Sequence, residues 1–434
     1  MDNDRAFEMA TSNIRFGPGI TAEVGMDLKD MDLHRVIVFA DPALANPALA
    51  NPATGQTPIS LLLESLGSND IAHTVFDRIS VEPTDTSFAD AISFAKGERY
   101  DAIVALGGGS TMDTAKAANL YTSHPADFLD YVNAPIGKGR PVPGPLKPMI
   151  AIPTTAGTGS ETTGVAIFDF KEMKAKTGIA HRRLKPTLAI VDPDNTRNLP
   201  PAVAASTGLD VLSHALESYT AMPFDRRPRP ERPVLRPSYQ GSNPISDLWS
   251  LEALRMVAEY LPRAVADRGD DEARGKMLLA AAYAGMGFGN AGVHLPHGMS
   301  YPVAGMVDSY MPPGYTVDHP VVPHGTSVIV NAPAVFRFTA PACPQRHLEA
   351  ARILGADTTG TDTTAAGEVL AECLIDYMRR LNMPNGLSAL GYTSSDIPAL
   401  VQGTLPQHRV TKLSPRPADE DDLTALFEDA LSYW

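Results

Sequence analysis

Gly107-Gly-Gly-Ser-Thr-Met-Asp-Thr-Ala-Lys116 follows directly on the apolar run Ala102-Ile-Val-Ala-Leu106, and this junction decides the fold. A short apolar run closed by glycines reads as a buried strand, and Met112 to Leu120 reads as the helix after it. Glycines in the turn let backbone come close to a phosphate, while the helix start offers free N–H groups and positive potential. The pattern is not Gly-x-Gly-x-x-Gly, and a plain tight turn is the competing reading. A second loop, Pro153-Thr-Thr-Ala-Gly-Thr-Gly-Ser-Glu161, gathers hydroxyls and glycines after another strand, which suits a pyrophosphate and a ribose. Asp41 ends the run Val36-Ile-Val-Phe-Ala40. An acid there can accept from a ribose hydroxyl and would repel a 2′-phosphate, which favours NAD over NADP. A simple Asp-Pro turn accounts for the same spacing.

Outward from this junction the first half alternates. Thr74-Val-Phe-Asp77 reads as a strand, Phe88 to Ala95 as a helix, and Met149-Ile-Ala-Ile152, Val165-Ala-Ile-Phe168 and Leu188-Ala-Ile-Val191 as further strands. Near-continuous apolar strands separated by helices predict a Rossmann-like parallel sheet covered on both faces. From Pro200-Pro201 the periods are helical: Val203 to Tyr219, Asp247 to Ala266, Asp271 to Gly285, Val328 to Phe338, Gln345 to Leu354, Thr363 to Arg380 and Asp421 to Leu431. The boundary falls at Asn198-Leu-Pro200, which gives an α/β cofactor domain over 1–199 and an all-helical metal and substrate domain over 200–434. Between two of the helices, the prolines of Arg226-Arg-Pro-Arg-Pro-Glu-Arg-Pro-Val-Leu-Arg-Pro237 dictate an extended loop.

A chain of 434 residues with 44% apolar and 20% charged residues fits a globular protein of two domains. A net charge of −14 argues against nucleic acid as a partner. Two cysteines, Cys343 and Cys373, make no cysteine-based metal site and fit a reducing compartment. The acidic start, Met1-Asp-Asn-Asp-Arg-Ala-Phe7, has neither signal-peptide nor transit-peptide character. Met277 to Gly289 is too short to span a bilayer and reads as a buried helix. A cytoplasmic protein without membrane contact is expected.

Asp210 and His214 lie four apart in the helical Gly208-Leu-Asp-Val-Leu-Ser-His-Ala-Leu-Glu217, on one face. His297 and His324 share a Pro-His-Gly context. One carboxylate and three imidazoles form a borderline N/O set suited to Fe²⁺ or Zn²⁺. His294, three residues before His297, competes with it and is read as a supporting or packing residue. For the pair Asp210/His214 alone, a helix-start acid and a core histidine is the plain reading. A bound ion would act as a Lewis acid on an alcohol or carbonyl oxygen, and a nicotinamide would take the hydride.

These stretches resemble the iron-containing (group III) alcohol dehydrogenases over essentially the whole chain. The motifs are Gly107 to Lys116, Pro153 to Glu161, Gly208 to Tyr219 and the two His-Gly pairs. The likeness is greatest to members that oxidise 4-hydroxybutyrate to succinic semialdehyde while reducing 2-oxoglutarate to 2-hydroxyglutarate through a retained NAD. It is carried by Phe7 to Phe16, Asp127 to Tyr131, Ala134 to Lys138, Tyr239 to Asp247, Gly289 to Leu295, His297 to Pro302 and Asp318 to Gly325.

The resemblance implies the dehydroquinate synthase-like fold of that family, with the site in the cleft between an N-terminal dinucleotide domain and a helical C-terminal domain. It implies Asp210, His214, His297 and His324 as metal ligands. It implies Asp41, Gly108, Gly109, Ser110, Asp113, Thr154, Thr155, Thr158, Val165 and Lys176 as NAD-binding residues. Many members carry a second histidine four residues after the third ligand; this chain has Tyr301, which becomes the candidate for moving a proton. Both substrates are small carboxylates, a hydroxyacid and an oxoacid. Arg236, in the arginine-rich insert, is the candidate to hold one. A homodimer is expected. The alternatives are an NAD-linked dehydrogenase that releases NADH and, more remotely, a lyase of the dehydroquinate synthase kind.

Overall fold

The computed structural model describes residues 2–434 other than Ala53, Lys174, Asn198, Thr316 and Asp318. Met1, Asn198 of the expected boundary and Asp318 of the last motif therefore lie outside the described residues. The chain forms two compact units. One comprises Ala10–Leu199 with Arg268–Gly285; the other comprises Met1–Met9, Pro200–Asp267 and Met286–Trp434. A long helix over Asp271–Ala291 supplies residues to both.

The α/β unit has, among its described residues, a six-stranded parallel sheet. Its strands are β1 (Asn13–Phe16), β2 (Arg35–Ala40), β3 (Ala72–Phe76), β4 (Ala102–Gly107), β5 (Met149–Pro153) and β8 (Leu188–Val191), ordered β1-β8-β5-β4-β2-β3. The helices are α1 (Val24–Asp30), α2 (Pro58–Ser68), α3 (Asp85–Gly97), α4 (Gly109–Ser123) and α5 (Phe128–Tyr131). Alternate residues of each strand feed two cores. Val36, Val38, Val104 and Leu106 pack with Leu28 of α1 and Leu62 and Leu66 of α2. Ile37, Phe39, Ile103 and Ala105 pack with Ala91 and Ala95 of α3 and Ala115 and Ala118 of α4. With both faces covered, no position along the strand is left to be polar, which explains the unbroken apolar runs. Each fully buried Leu or Phe contributes about 1.5–3 kcal/mol.

Val165–Phe170 (β6) is a strand but not part of this sheet. It pairs antiparallel with Ala175–Ala180 (β7) in a separate ribbon. Phe168 and Ile179 pack there against Phe88 of α3 and Leu120 of α4.

In the sheet order β2 is followed on one side by β3 and on the other by β4. Such a reversal opens a crevice at the carboxyl ends of the two strands, the usual ligand position in open α/β sheets. Ala40 pairs with Leu106, and Gly107 with Pro153, so the chain leaves β2, β4 and β5 side by side at Asp41, Gly108 and Thr154.

The helical unit is built on α6 (Pro201–Thr220), α7 (Pro244–Ala266), the end of α8 (Asp271–Ala291), α9 (Leu295–Gly305), α10 (His324–Ile329), α11 (Ala332–Thr339), α12 (Pro344–Ile353), α13 (Ala366–Arg380), α14 (Ile397–Thr404), α15 (His408–Thr411) and α16 (Glu420–Asp429). Proline opens α6 and α7, where its missing N–H costs nothing, and Asn243 caps α7 by accepting from the Ser246 N–H at 3.0 Å. α6 is buried continuously from Gly208 to Thr220 and packs against α7 and α10. The arginine-rich insert is irregular, with short turns at Phe224–Arg226 and Pro233–Leu235. No helix is long and apolar enough to cross a membrane among the described residues.

Candidate metal centre and cofactor loops

Asp210, His214, His297 and His324 meet in the helical unit. One donor atom from each lies within 4.8 Å of the others. The Nε2 atoms of His214, His297 and His324 stand 3.8, 3.6 and 3.8 Å from Asp210 Oδ1. These distances are too long for hydrogen bonds. They are near the ~3.4 Å edge of a tetrahedron whose metal–ligand bonds are about 2.1 Å. Asp210 Oδ1 and His297 Nε2 are buried and have no hydrogen-bond partner. Unsatisfied buried donors and acceptors are costly in isolation, and a shared cation satisfies them together. The residues fit a divalent metal.

Local sequence explains the convergence. Asp210 and His214 are one turn apart on α6. His297 lies in the first turn of α9, and His324 opens α10. Gly325 is required for the approach: a Cβ there would run into the Ser206 backbone carbonyl and lie 3.0 Å from Asp210 Cβ. The ring of Phe288 stacks on His214 at 3.9 Å and fixes its plane.

Glu217 is a functional residue that the sequence reading misses. It is fully buried one turn after His214, and its Oε1 lies 2.6 Å from His297 Nδ1. Oε2 accepts the backbone N–H of His294 at 2.6 Å. The i, i+4, i+7 spacing of Asp210, His214 and Glu217 is the available signal. Two buried carboxylates thus face three imidazoles, a charge balance that a divalent cation completes. Burial opposes charge on His297, but Glu217 and then Asp210 outweigh it and raise the ring to about 10. Burial, with the neighbouring imidazoles, lowers His214 to about 3 against the pull of Asp210. Asp210 is lowered: burial would raise it, but the three histidines outweigh that.

His294 Nε2 lies 3.0 Å from Thr220 Oγ1, outside the cluster, which suits a supporting role. Tyr301 is buried one turn after His297, and its hydroxyl accepts from Arg409 Nη2 at 3.0 Å. Arg236 is different from expectation. Its Nε and Nη2 grip the buried Asp4 at 2.9 and 3.1 Å, and Asp4 also holds Arg227 at 2.8 Å. Its fork therefore closes the N-terminal segment onto the insert and is committed before any substrate arrives.

In the α/β unit the two cofactor loops touch. A Cβ on Gly109 would lie 2.7 Å from Thr158 Cγ2, and one on Gly108 would lie 3.3 Å from Thr155 Oγ1. Gly108 caps α4 without a side chain, so no cap side chain takes the first-turn N–H groups. The Thr154 N–H donates to Gly107 O at 3.1 Å, and Ser110 Oγ accepts from the Glu82 N–H at 3.2 Å. Asp41 caps its own turn by accepting from the Ala43 N–H at 2.9 Å. Asp113 accepts from Ser160 Oγ at 2.8 Å and the Ile167 N–H at 2.9 Å, tying α4 to the second loop and the ribbon. Burial raises its pKa. The Val165 carbonyl accepts from buried Lys116 Nζ at 3.0 Å. Lys176 pairs with Glu82 and, at 3.3 Å, with Asp169. Burial opposes its charge, but these two acids outweigh burial and raise it. Asp113, Val165 and Lys176 thus brace the loops through contacts of their own.

The family model of iron-containing alcohol dehydrogenase matches residues 11–193, and that of the C-terminal part of the Fe-containing alcohol dehydrogenase family matches 238–431. The chain belongs to the iron-containing alcohol dehydrogenase family. It is an oxidoreductase acting on CH–OH groups. The mitochondrial hydroxyacid-oxoacid transhydrogenase of Rattus norvegicus is 58% identical over 99% of this chain and 91% of that protein. Among solved structures, 1,3-propanediol oxidoreductase aligns with a TM-score of 0.83 at 27% identity, covering 98% of this chain and all of that one. The sulfoacetaldehyde reductase of Bifidobacterium kashiwanohense, in complex with NAD⁺, aligns with a TM-score of 0.78 at 28% identity over 99% of this chain and all of that one.

Proposed function

We propose that this alcohol dehydrogenase family member is a hydroxyacid–oxoacid transhydrogenase. It oxidises 4-hydroxybutyrate to succinic semialdehyde and reduces 2-oxoglutarate to 2-hydroxyglutarate, with NAD retained between the half-reactions. What carries the reading is the Asp210–His214–His297–His324 set, three of its four members buried, in a chain that matches the rat transhydrogenase over almost its full length.

Asp210, His214, His297 and His324 would hold the metal, Fe²⁺ in keeping with the family's description, with Zn²⁺ as the alternative. When bound, the ion supplies Lewis acidity to the substrate oxygen and the nicotinamide supplies the hydride site. Glu217 would hold the His297 ring by Nδ1, with Nε2 turned toward Asp210 and the metal position. Tyr301, held by Arg409, is the group we assign to passing the alcohol proton. Gly108, Gly109, Ser110, Thr154, Thr155 and Thr158 would cradle the NAD phosphates at the start of α4, and Asp41 would face the adenosine ribose. Asp113, Val165 and Lys176 would act by holding that loop in shape. In place of a single division at 199/200, residues 10–199 with 268–285 would supply the dinucleotide domain, and 200–267 with 286–434 the metal and substrate domain. We take the protein to be a cytoplasmic homodimer; its two free thiols fit a reducing compartment. Fractionation and light scattering test both points.

The functional test gives metal-loaded protein 4-hydroxybutyrate and 2-oxoglutarate without added nucleotide. Equal amounts of succinic semialdehyde and 2-hydroxyglutarate are expected. Product only after NAD is added, with NADH accumulating, would make it an ordinary dehydrogenase.

A further inference from the structure

The reacting pair shares a feature that a site can measure. In 4-hydroxybutyrate and in 2-oxoglutarate alike, a carboxylate sits two methylenes away from the carbon that gains or loses hydride. One cation at a fixed distance from the metal ligands would serve both half-reactions. Arg236 is unsuited to this because Asp4 occupies it.

Arg409 on α15 has what the task needs. Its Nη2 donates to the Tyr301 hydroxyl at 3.0 Å, while its Nη1 is buried without a partner. Among the described residues, no carboxylate pairs with it. A guanidinium taken out of water without an anion is unfavourable and is retained where a ligand brings the anion. The surroundings place it one layer from the metal ligands. Tyr301 follows His297 by one turn, about 6 Å along α9. A Cβ on Gly298 would lie 2.7 Å from Thr411 Cγ2, so α15 presses on α9 at the turn that carries His297. The guanidinium lies 5.0 Å over the Tyr239 ring, Tyr239 stands 6.4 Å from Phe288, and Phe288 stacks on His214. From reacting carbon to carboxylate carbon the substrates span roughly 4 Å, three C–C bonds of ~1.5 Å, a scale that matches one helical turn.

We propose that Arg409 is the carboxylate anchor of this site, holding hydroxyacid and oxoacid in turn by the same group. The proposal rests on the transhydrogenase reading for its substrates, but its binding test does not. Metal-loaded wild type, Arg409→Gln and Arg409→Lys are titrated calorimetrically with glutarate and with its neutral isostere glutaramide, and KM and kcat are measured for both acids. We expect Arg409→Gln to weaken glutarate and raise both KM values by roughly ten- to a hundredfold, the weight of a charge-assisted hydrogen bond. Arg409→Lys should recover part of the loss, glutaramide should be indifferent to either change, and metal content should be unaltered. Unchanged glutarate binding in a folded Arg409→Gln would overturn the proposal. So would an equal loss of glutarate and glutaramide, which marks a packing role. If Arg409→Gln does not fold, Arg409→Lys decides: glutarate binding and both KM values identical to wild type overturn the anchor, and a selective loss supports it. Should the wild type turn over neither acid, the transhydrogenase reading fails, and the glutarate titration still decides the anchor.

Discussion

Glu217→Gln changes one charge and almost no volume. An ionised carboxylate can only accept, so at 2.6 Å it keeps a proton on His297 Nδ1 and makes Nε2, which faces Asp210, the nitrogen that gives up its proton to a metal. A glutamine whose carbonyl still accepts the His294 N–H turns its NH₂ toward Nδ1. The ring must then take the other tautomer, with a proton on Nε2 where a metal needs a lone pair. Loss of such an outer carboxylate weakens metal binding by ~10–100-fold, or about 1.4–2.7 kcal/mol. The assay is a competition for Zn²⁺ between the apo protein and a chelator of known affinity, with circular dichroism to show that the fold is kept. Equal affinities in wild type and Glu217→Gln would refute the reasoning.

Other outcomes follow from the contacts described. Arg236→Ala should leave KM for both acids unchanged and cost about 1–3 kcal/mol in urea unfolding, because Asp4 stays buried with one partner fewer. Gly109→Ala pushes a methyl toward Thr158; NAD affinity by fluorescence titration should fall at least tenfold while metal content stays constant. His347 is buried between Thr339 Oγ1 and the Cys343 carbonyl, each at 3.0 Å, and burial holds it down to about 4 against the help of that carbonyl. Its folded form resists a proton that the unfolded chain accepts near 6.5. Stability should therefore drop as pH falls from 6.5 toward 4, by up to about 1.4 kcal/mol per unit from this ring. His347→Gln should flatten that slope in urea midpoints.

The sheet was legible where local pattern and long-range pairing agree, as in Val36 to Ala40 and Ala102 to Leu106. Val165 to Phe168 shows the limit. An apolar run reads the same in a covered parallel sheet as in a packed ribbon, and only the partner strand distinguishes them. The four donors could be read because aspartate and histidine near glycines are chemically marked. Arg409 could not, since nothing in its neighbours along the chain shows that Tyr239 and Tyr301 close around it. The Arg236–Asp4 pair was hidden for the same reason: Asp4 is remote in sequence, and the fork that suits a substrate carboxylate suits a protein one equally well.

The donors come from three helices widely spaced in the chain, α6, α9 and α10. An ion held by them is therefore a removable cross-link: it closes loops that are costly in entropy to close by packing alone, much as a covalent staple would. Metal supply would then bear on the stability of the helical unit as well as on its chemistry. A chain short of metal would lose that tie between α6, α9 and α10 together with its Lewis acid.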